Sequence, residues 1–590
     1  MSLAATRSIA LSSLLTAQTR ISVASTNIAN ADTTGYSRKT ATQSTLVTAG
    51  VGTGVEITAI SSSVSKMLLG SLVEAQSRHG AATTMEEYTS LLQDAYGATT
   101  DDGDTTAGTS IANAIADLAA ALTELADTPE SATLQAQVVD SLDSLAAQLR
   151  TTSRSIQSLR ADADDQIETS VDEINTLLGT IDSLNERIAS AQASGADISD
   201  LEDQRNTALG SLGELMNVTW FVNSSNQVHV YSSGGKVLLD SAVHALSYES
   251  AATVTSDTVY TGTTPSGFSG IMVEGVDITS QITSGSVGAL IELRDEVLPD
   301  AQLDLDTLAV ELADALNAVH NDGTALPAPA TLTGSAVLAG TDALSATGMA
   351  RFAVVDEDGA LVSYQDIDLS TVATVNDLVA AIDAVDGLTA SLDASGHLVV
   401  ATENASYGVA VNQMDSAVGA DAEGLSSFLG LNDLVRATGA SDFVVRSDIL
   451  ANNSLLAVSS LDTSATLTSG ATVVAAGSGT IADALLDVFE TSHSFGAAGN
   501  LGSTTATLAG YAAEVVGAVA TVYAGAESEL ETATTLQSSV TDAIASKSGV
   551  NVDEETNLLS ELQTQYEAAA QIMSIVNELF STLLEMVQSA

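Results

Sequence analysis

Histidine, cysteine and clustered carboxylates are the residues through which this chain could do chemistry. The six histidines are His79, His229, His244, His320, His397 and His493, and no two lie three to five positions apart. That spacing is what puts two imidazoles on one helix face as metal ligands. Cysteine is absent, so thiolate catalysis and disulfides are excluded. Asp101-Asp102-Gly103-Asp104 and Asp356-Glu357-Asp358-Gly359 lack the alternating ligands and closing Glu of a calcium loop and read as solvated turns. Gly50-Val51-Gly52-Thr53-Gly54 lacks the Lys-Ser/Thr of a phosphate loop and reads as an extended connector. The expectation is no catalytic residue, no cofactor and no metal, hence a structural protein rather than an enzyme.

Charge narrows the partners. With 17 Lys+Arg against 75 Asp+Glu, the formal charge is −58. Nucleic acid and anionic lipid are disfavoured by that sign. No stretch approaches the roughly 18–20 consecutive apolar residues of a membrane span, so no membrane insertion is expected. Ser8, Ser12, Ser13 and Thr16 interrupt any apolar core of a secretory signal near the start. Aromatics are 3% of the chain, and much of its 45% hydrophobic content is alanine, which favours slender, closely packed helices.

Two stretches carry the clearest helical seams. Leu3, Ala10, Leu14, Ala17, Ile21, Ala24 and Ile28 follow a three-and-four spacing broken only at Arg7. At the other end Leu559, Leu562, Tyr566, Ala569, Met573, Val576, Phe580, Leu583 and Val587 repeat it, and Leu558, Ile572, Leu579 and Met586 widen the face. Asp553-Glu554-Glu555 sits where a helix N-terminus favours negative charge. Residues 1–40 hold four basic and one acidic residue, and 551–590 hold seven acidic and no basic. The two ends are therefore expected to pair, with charge helping to choose the register. Isolated helices are marginal, so these arms are expected to order only on assembly.

Between the ends the period changes twice. The expected fold is α+β, elongated and multidomain, with paired coiled-coil-like terminal helices. Residues 1–63 form the first seam helix and an extended arm, and 64–216 a long-helix domain. That domain includes an exposed hairpin at Thr99–Gly108 and a break at Ser194-Gly195. Residues 217–284 are β-rich, with strands at Val218–Val222, Val228–Tyr231 and Val237–Leu239 separated by turn-grade Asn/Ser/Gly runs. Residues 285–330 return as helix, 331–435 form a variable β-rich insertion, 436–545 resume the helical domain, and 546–590 are the C-terminal seam.

Ser25-Thr26-Asn27-Ile28-Ala29-Asn30-Ala31-Asp32-Thr33-Thr34-Gly35-Tyr36-Ser37-Arg38 resembles the signature of bacterial flagellar axial proteins, the family of rod, hook and hook-associated subunits. Asn27, Asn30, Thr33, Gly35 and Tyr36 carry that likeness, and Gly549-Val550-Asn551 with the acidic run after it resembles the family's other end. Leu201, Asp203, Gln204 and Arg205 match a Leu-x-Asp-Gln-Arg motif of its hook-associated branch. Arg294-Asp295, Leu316-Asn317, His320, Gly323 and Phe428-Leu429-Gly430-Leu431-Asn432-Asp433 continue the match. After Gly323 the chain departs from the pattern, with Thr324-Ala325-Leu326-Pro327-Ala328-Pro329 in place of an Asp-Leu-x-Gly-like run.

The resemblance implies a structural subunit at the hook–filament junction that assembles with copies of itself through its terminal helices. It implies hook protein as a neighbour on one side and a second junction protein or flagellin on the other. An export chaperone would bind the C-terminal helix in the cytoplasm. It also implies an extracellular location in the flagellum, reached through the flagellar type III apparatus without a cleaved signal. The alternatives are another axial subunit, hook or flagellin-like, and an enzyme-bearing surface protein with flagellar-type ends.

Overall fold

The structure, a computed structural model, describes residues 3–48, 50–97, 108–262 and 267–589. In chain order, helix α1 (Leu3–Ala29) leads into strands β1 (Lys39–Thr48) and β2 (Val51–Ser62). Helices α2 (Lys66–Tyr96), α3 (Ile111–Asp127), α4 (Ala132–Ser194) and α5 (Ser199–Leu215) follow. Next come β3 (Val218–Val222), β4 (Val228–Ser232), β5 (Val237–Leu239) and the two-residue strands β6 (Leu246–Ser247), β7 (Met272–Val273) and β8 (Val276–Asp277). Helices α6 (Gly285–Glu292) and α7 (Leu298–His320) are joined by a π-helical turn, Leu293–Val297.

A β-rich run then holds β9 (Thr331–Thr333), β10 (Ala346–Thr347), β11 (Met349–Val355), β12 (Leu361–Asp368), α8 (Val375–Asp383), β13 (Leu388–Leu392), β14 (Leu398–Thr402), β15 (Gly408–Asn412) and β16 (Ala417–Val418). It passes through α9 (Leu425–Leu429), β17 (Val435–Arg436), β18 (Val444–Val445) and α10 (Ser447–Ala451). The chain closes with α11 (Thr480–Glu490), β19 (His493–Phe495), β20 (Thr504–Ala506), α12 (Leu508–Ser548) and α13 (Val552–Ser589).

These elements form two compact units. The first holds residues 1–88, 161–295 and 524–590. In it α1 packs on α13 and on the antiparallel β1–β2 hairpin. Buried positions recur at sevens on both helices, Ala10, Ala17 and Ala24 on α1 and Leu562, Ala569 and Val576 on α13. Alanine at those positions lets two helix axes approach to about 8 Å. The C-terminal half of α4 buries Ile167, Val171, Ile174, Leu178, Ile181, Leu184 and Ile188. The sheet β3-β4-β5 and the smaller β6-β7-β8 belong to the same unit as the chain ends.

The second unit holds residues 89–160 and 296–523. Ile111, Ile115, Leu118, Leu122 and Leu125 of α3 are buried, as are Val138, Leu142, Leu145 and Leu149 of α4. The antiparallel sheets β12-β11-β15 and β13-β14-β9 enclose one core with α8, around Phe352, Val354, Leu378, Ile382, Val400 and Val411.

Several expectations need correction. Val51–Ile57, read as a short strand or extended arm, is a strand, and it pairs with residues 39–48 in a hairpin of ten- and twelve-residue strands. Alternate Thr, Ser and Gly side chains disguised that pairing. Residues 436–479, assigned to a helical segment, are mostly irregular, and the long helices resume only at Thr480. Between β6 and β7 the supposed strand region contains no strand among the described residues. The terminal helices, expected to order only on assembly, are formed and packed on each other within one chain. The hairpin expected at Thr99–Gly108, with Asp101–Asp104 inside it, lies outside the described residues except for Gly108.

Candidate functional site

The turn after α1 builds a buried polar knot. Asn27, 1% exposed, makes four hydrogen bonds, the full capacity of its amide. Its Nδ2 donates to the Lys39 carbonyl at 2.9 Å and to Glu555 Oε2 at 3.2 Å. Its Oδ1 accepts from the Lys39 N–H and from the Tyr36 hydroxyl, both at 2.9 Å. Glu555, also 1% exposed, takes the Arg38 Nε–H at 2.7 Å, and the Arg38 N–H donates to the Ser548 carbonyl at 2.8 Å. The end of α1 is thereby locked to the start of α13, and the helices run antiparallel.

Lys39 ties the same knot to α5. Its buried ammonium meets Asp203 Oδ2, donates to the Ser199 carbonyl at 2.9 Å and lies 5.0 Å from the Tyr36 ring centre. Asp203 also accepts from the Ser37 hydroxyl at 2.6 Å and the Ser37 N–H at 3.0 Å. Charge-assisted bonds of this kind are among the strongest a fold contains. Burial, then the carboxylates of Asp200, Asp203 and Glu555, push the Tyr36 phenol up to about 12. Gly35 stands at φ +79°, and a Cβ there would come within 2.6 Å of Thr207 Oγ1 on α5. Only glycine fits both demands. Asn30 closes the last turn of α1, donating to the Thr26 carbonyl at 2.9 Å and accepting from Thr33 Oγ1 at 3.3 Å.

The other motif residues serve different neighbours. Arg205, two positions after Asp203, turns the opposite way. It donates to Asn185 Oδ1 at 3.1 Å and to the Asn226 carbonyl at 2.6 Å, holding the β3–β4 turn on α4. Burial lowers its pKa, against the attraction of Glu202. Leu201 is half-buried and Gln204 exposed. Arg294 sits fully buried in the π-helical turn, forked onto Asp295 with two bonds of 2.8 Å and bonded to Asp164 at 3.0 Å. Its guanidinium carbon lies 4.5 Å from the Phe268 ring centre. Burial opposes the charge, but Asp295 holds the pKa above the ordinary arginine value.

In the second unit two further motifs meet. His320 accepts from the Ala457 N–H at Nε2, 2.8 Å, and its Nδ1 faces the Asn432 carbonyl. One nitrogen must therefore accept and the other donate, which is the neutral imidazole. Burial pushes its pKa down to about 4. Asn317 Oδ1 accepts from the N–H groups of Leu434 and Val435, at 2.8 and 3.0 Å. Asn321 bridges Asp433 at 2.8 Å and Ser426 at 2.8 Å. The run Phe428–Asp433 is thus the dock for the end of α7.

The seam residues divide along α13. Leu3, Leu14, Ile21 and Ile28 of α1 are half-buried, as are Leu559, Met573 and Phe580, while Leu562 and Val576 are buried. Tyr566 is 40% exposed, Leu583 43% and Val587 74%, so these three do not close the pair. Counting antiparallel from Asn27–Glu555, α1 runs out at about residue 579, at equal rise along both helices. Nothing of α1 is left to cover Leu583 and Val587.

No sequence pattern marked Lys39 or Ser199. The available signal was that two of the four basic residues in the first forty, Arg38 and Lys39, adjoin the turn. Among the described residues no group of His, Asp and Glu could hold a metal ion. One stretch within Leu508–Gln588 is apolar and long enough to cross a membrane by length and composition alone. In α12, Leu508, Tyr511, Ala512, Val515 and Val519 are buried in the protein, which accounts for apolar character there.

Comparison with known proteins agrees with this arrangement. A family model described as flagellar hook-associated protein FlgK helical domain matches residues 103–333. Flagella basal body rod protein matches residues 8–36, and flagellar basal body rod FlgEFG protein C-terminal matches 544–586. The two rod matches cover most of α1 and α13, the helices that the knot joins. Flagellar hook-associated protein 1 of Escherichia coli is 24% identical over 597 residues, 98% of each chain.

Along nearly its whole length the chain is similar to hook-associated protein 1. Flagellar hook-associated protein 1 of Salmonella typhimurium is 25% identical over 53% of this chain and 56% of its own length. That of Bacillus subtilis is 24% identical over 52% and 65%. The flagellar hook junction protein FlgK of Burkholderia pseudomallei aligns at a TM-score of 0.48, with 18% identity, over 80% of this chain and 98% of its own. These likenesses support a structural component of the bacterial flagellum.

Proposed function

We propose that this chain is a subunit of the hook–filament junction, assembling with copies of itself through α1 and α13 to give the layer on which the filament is built. The observation that carries the reading is the likeness to hook-associated protein 1 along 98% of the chain. The α13 end supports the mode of assembly. Ile575, Leu579, Leu583, Leu584, Met586 and Val587 are 43–74% exposed, an apolar helix end that neighbouring subunits would cover. Hook protein lies on one side of the layer and a second junction protein or flagellin on the other.

Before assembly the same helix end is the surface for an export chaperone, and the chain leaves the cell through the flagellar type III apparatus. The protein has no catalytic role. Residues 1–63 and 546–590 form the assembling layer, and 331–435 the variable insertion. Deleting the gene tests the reading: intact hooks, no filaments and flagellin lost to the medium are expected, and normal filaments would sink it. Leu583→Asp with Val587→Asp should abolish filaments while the purified subunit melts within ~0.5 kcal/mol of wild type, as surface changes do.

A further inference from the structure

The second unit carries a groove of about 530 Å³ between α4, the β17–β18 hairpin and α10. Three arginines line it, Arg150, Arg436 and Arg446, in a chain with 17 Lys+Arg among 590 residues. Two of the three are committed. Arg446 forks onto Asp448 with bonds of 3.1 and 2.6 Å and also reaches the Leu431 carbonyl at 3.0 Å. Arg150 donates to the Phe443 carbonyl. Arg436 pairs with Val444 through the backbone and is exposed, and among the described residues its side chain has no ion pair or hydrogen bond. The remaining acid of the lining is Asp143. Beside Arg436, Val444 and Leu450 are 38% and 42% exposed.

We infer that this groove is a receptor for an acidic amphipathic segment of a second copy of this chain. The inference rests on the self-assembly reading above and names a contact outside the terminal helices. Charge selects the occupant: any neighbouring copy carries 75 acidic side chains against 17 basic ones, so most faces of two copies repel. Around this groove the sign is reversed, because Asp448 is neutralised by Arg446 and two guanidiniums face one carboxylate. A guanidinium fork takes a carboxylate bidentately. The exposed Val444 and Leu450 give a purpose to an apolar stripe beside that carboxylate, which a free inorganic anion would not use.

The test uses full-length protein in flagella. A photoreactive benzoylphenylalanine replaces Leu450, sheared flagella are irradiated, and adducts are mapped by mass spectrometry. The expected result is a cross-link between two copies at a peptide bearing Asp or Glu. Arg436→Glu should lower its yield at least tenfold with the amount of subunit in the flagella unchanged, and Arg436→Lys should retain more than half. Adducts confined to one copy, joined to a different protein, or absent from flagella that contain the subunit would overturn the inference and leave the assembly reading intact. Absence of the subunit from the flagella would overturn both.

Discussion

The knot around Asn27 and the dock around His320 solve one problem with opposite chemistry. Each ties together pieces of chain that lie far apart: residues 27–39, 199–203 and 548–555 in the first unit, and 317–323, 426–435 and 457 in the second. The knot uses ionised groups, with Lys39 on Asp203 and Arg38 on Glu555. Among the described residues the dock has no buried cation: amides and one neutral imidazole gather around α7, and the Asp433 carboxylate is held by hydrogen bonds from Asn321 and Ser335. A buried charge demands its partner far more strictly than a buried amide does. The knot is therefore the more intolerant of mutation, and the dock the more sensitive to acid.

The sharpest break is Lys39→Met. It strands Asp203 without its cation and should cost about 3–5 kcal/mol in urea unfolding of the full chain. Lys39→Met with Asp203→Leu should recover more than half of that loss, since two apolar groups leave no uncompensated charge. A double variant as unstable as the single one would show that the ion pair is not the source.

Acid separates the two regions next. His320 binds its proton with a pKa of about 4 in the fold against 6.5 when free. Between those values the unfolded chain is the more protonated, so stability falls as pH drops from 6.5 toward 4. The loss amounts to as much as about 3 kcal/mol at 1.36 kcal/mol per pH unit. His320→Gln should flatten the profile in that window, and an unchanged slope would remove His320 from the account. At the other extreme Tyr36, raised to about 12, contributes stability that is complete below pH 10 and lost as pH rises through 12. The knot should therefore loosen in alkali, read by hydrogen exchange of residues 27–39.

Smaller effects refine the knot. Gly35→Ala meets both a positive φ and Thr207, and should cost about 2 kcal/mol. Thr207→Ala on that background should return only part, because the backbone strain stays. Tyr36→Phe removes one bond to Asn27 and should cost about 1 kcal/mol in thermal unfolding.

How much of this could be read from sequence depends on the range of the interaction. The helical seams, the strands β3 to β5 and the hairpin of β11 and β12 are periodic or turn-bounded, and local periodicity survives into the fold. Asn27, Asn30 and Gly35 announced a turn, but whether they set a bend or touched a neighbour was open. In the structure Asn27 and Gly35 do their work inside the chain, on Lys39, Glu555 and α5. The sequence marks Glu555 only as an acid at a helix start, where negative charge is favoured. Its burial depends on residues more than five hundred positions away, for which sequence has no local mark. Val51–Ile57 alternates as a strand should, but its pairing was not legible because its partner β1 is rich in Thr and shows little apolar alternation.

The bond between Asn27 and Glu555 spans 528 residues. Closing a flexible loop of that length costs on the order of 6 kcal/mol by (3/2)RT ln n. It can happen only after nearly all of the chain exists. A ribosome adding residues at about 5–20 per second needs roughly half a minute or more to reach Glu555 after it has made Asn27. Throughout that interval α1 and its turn wait without Glu555 or α13. A segment made early is thus among the last to gain its native contacts, and its fold is a clock that reads whether Glu555 and α13 have arrived.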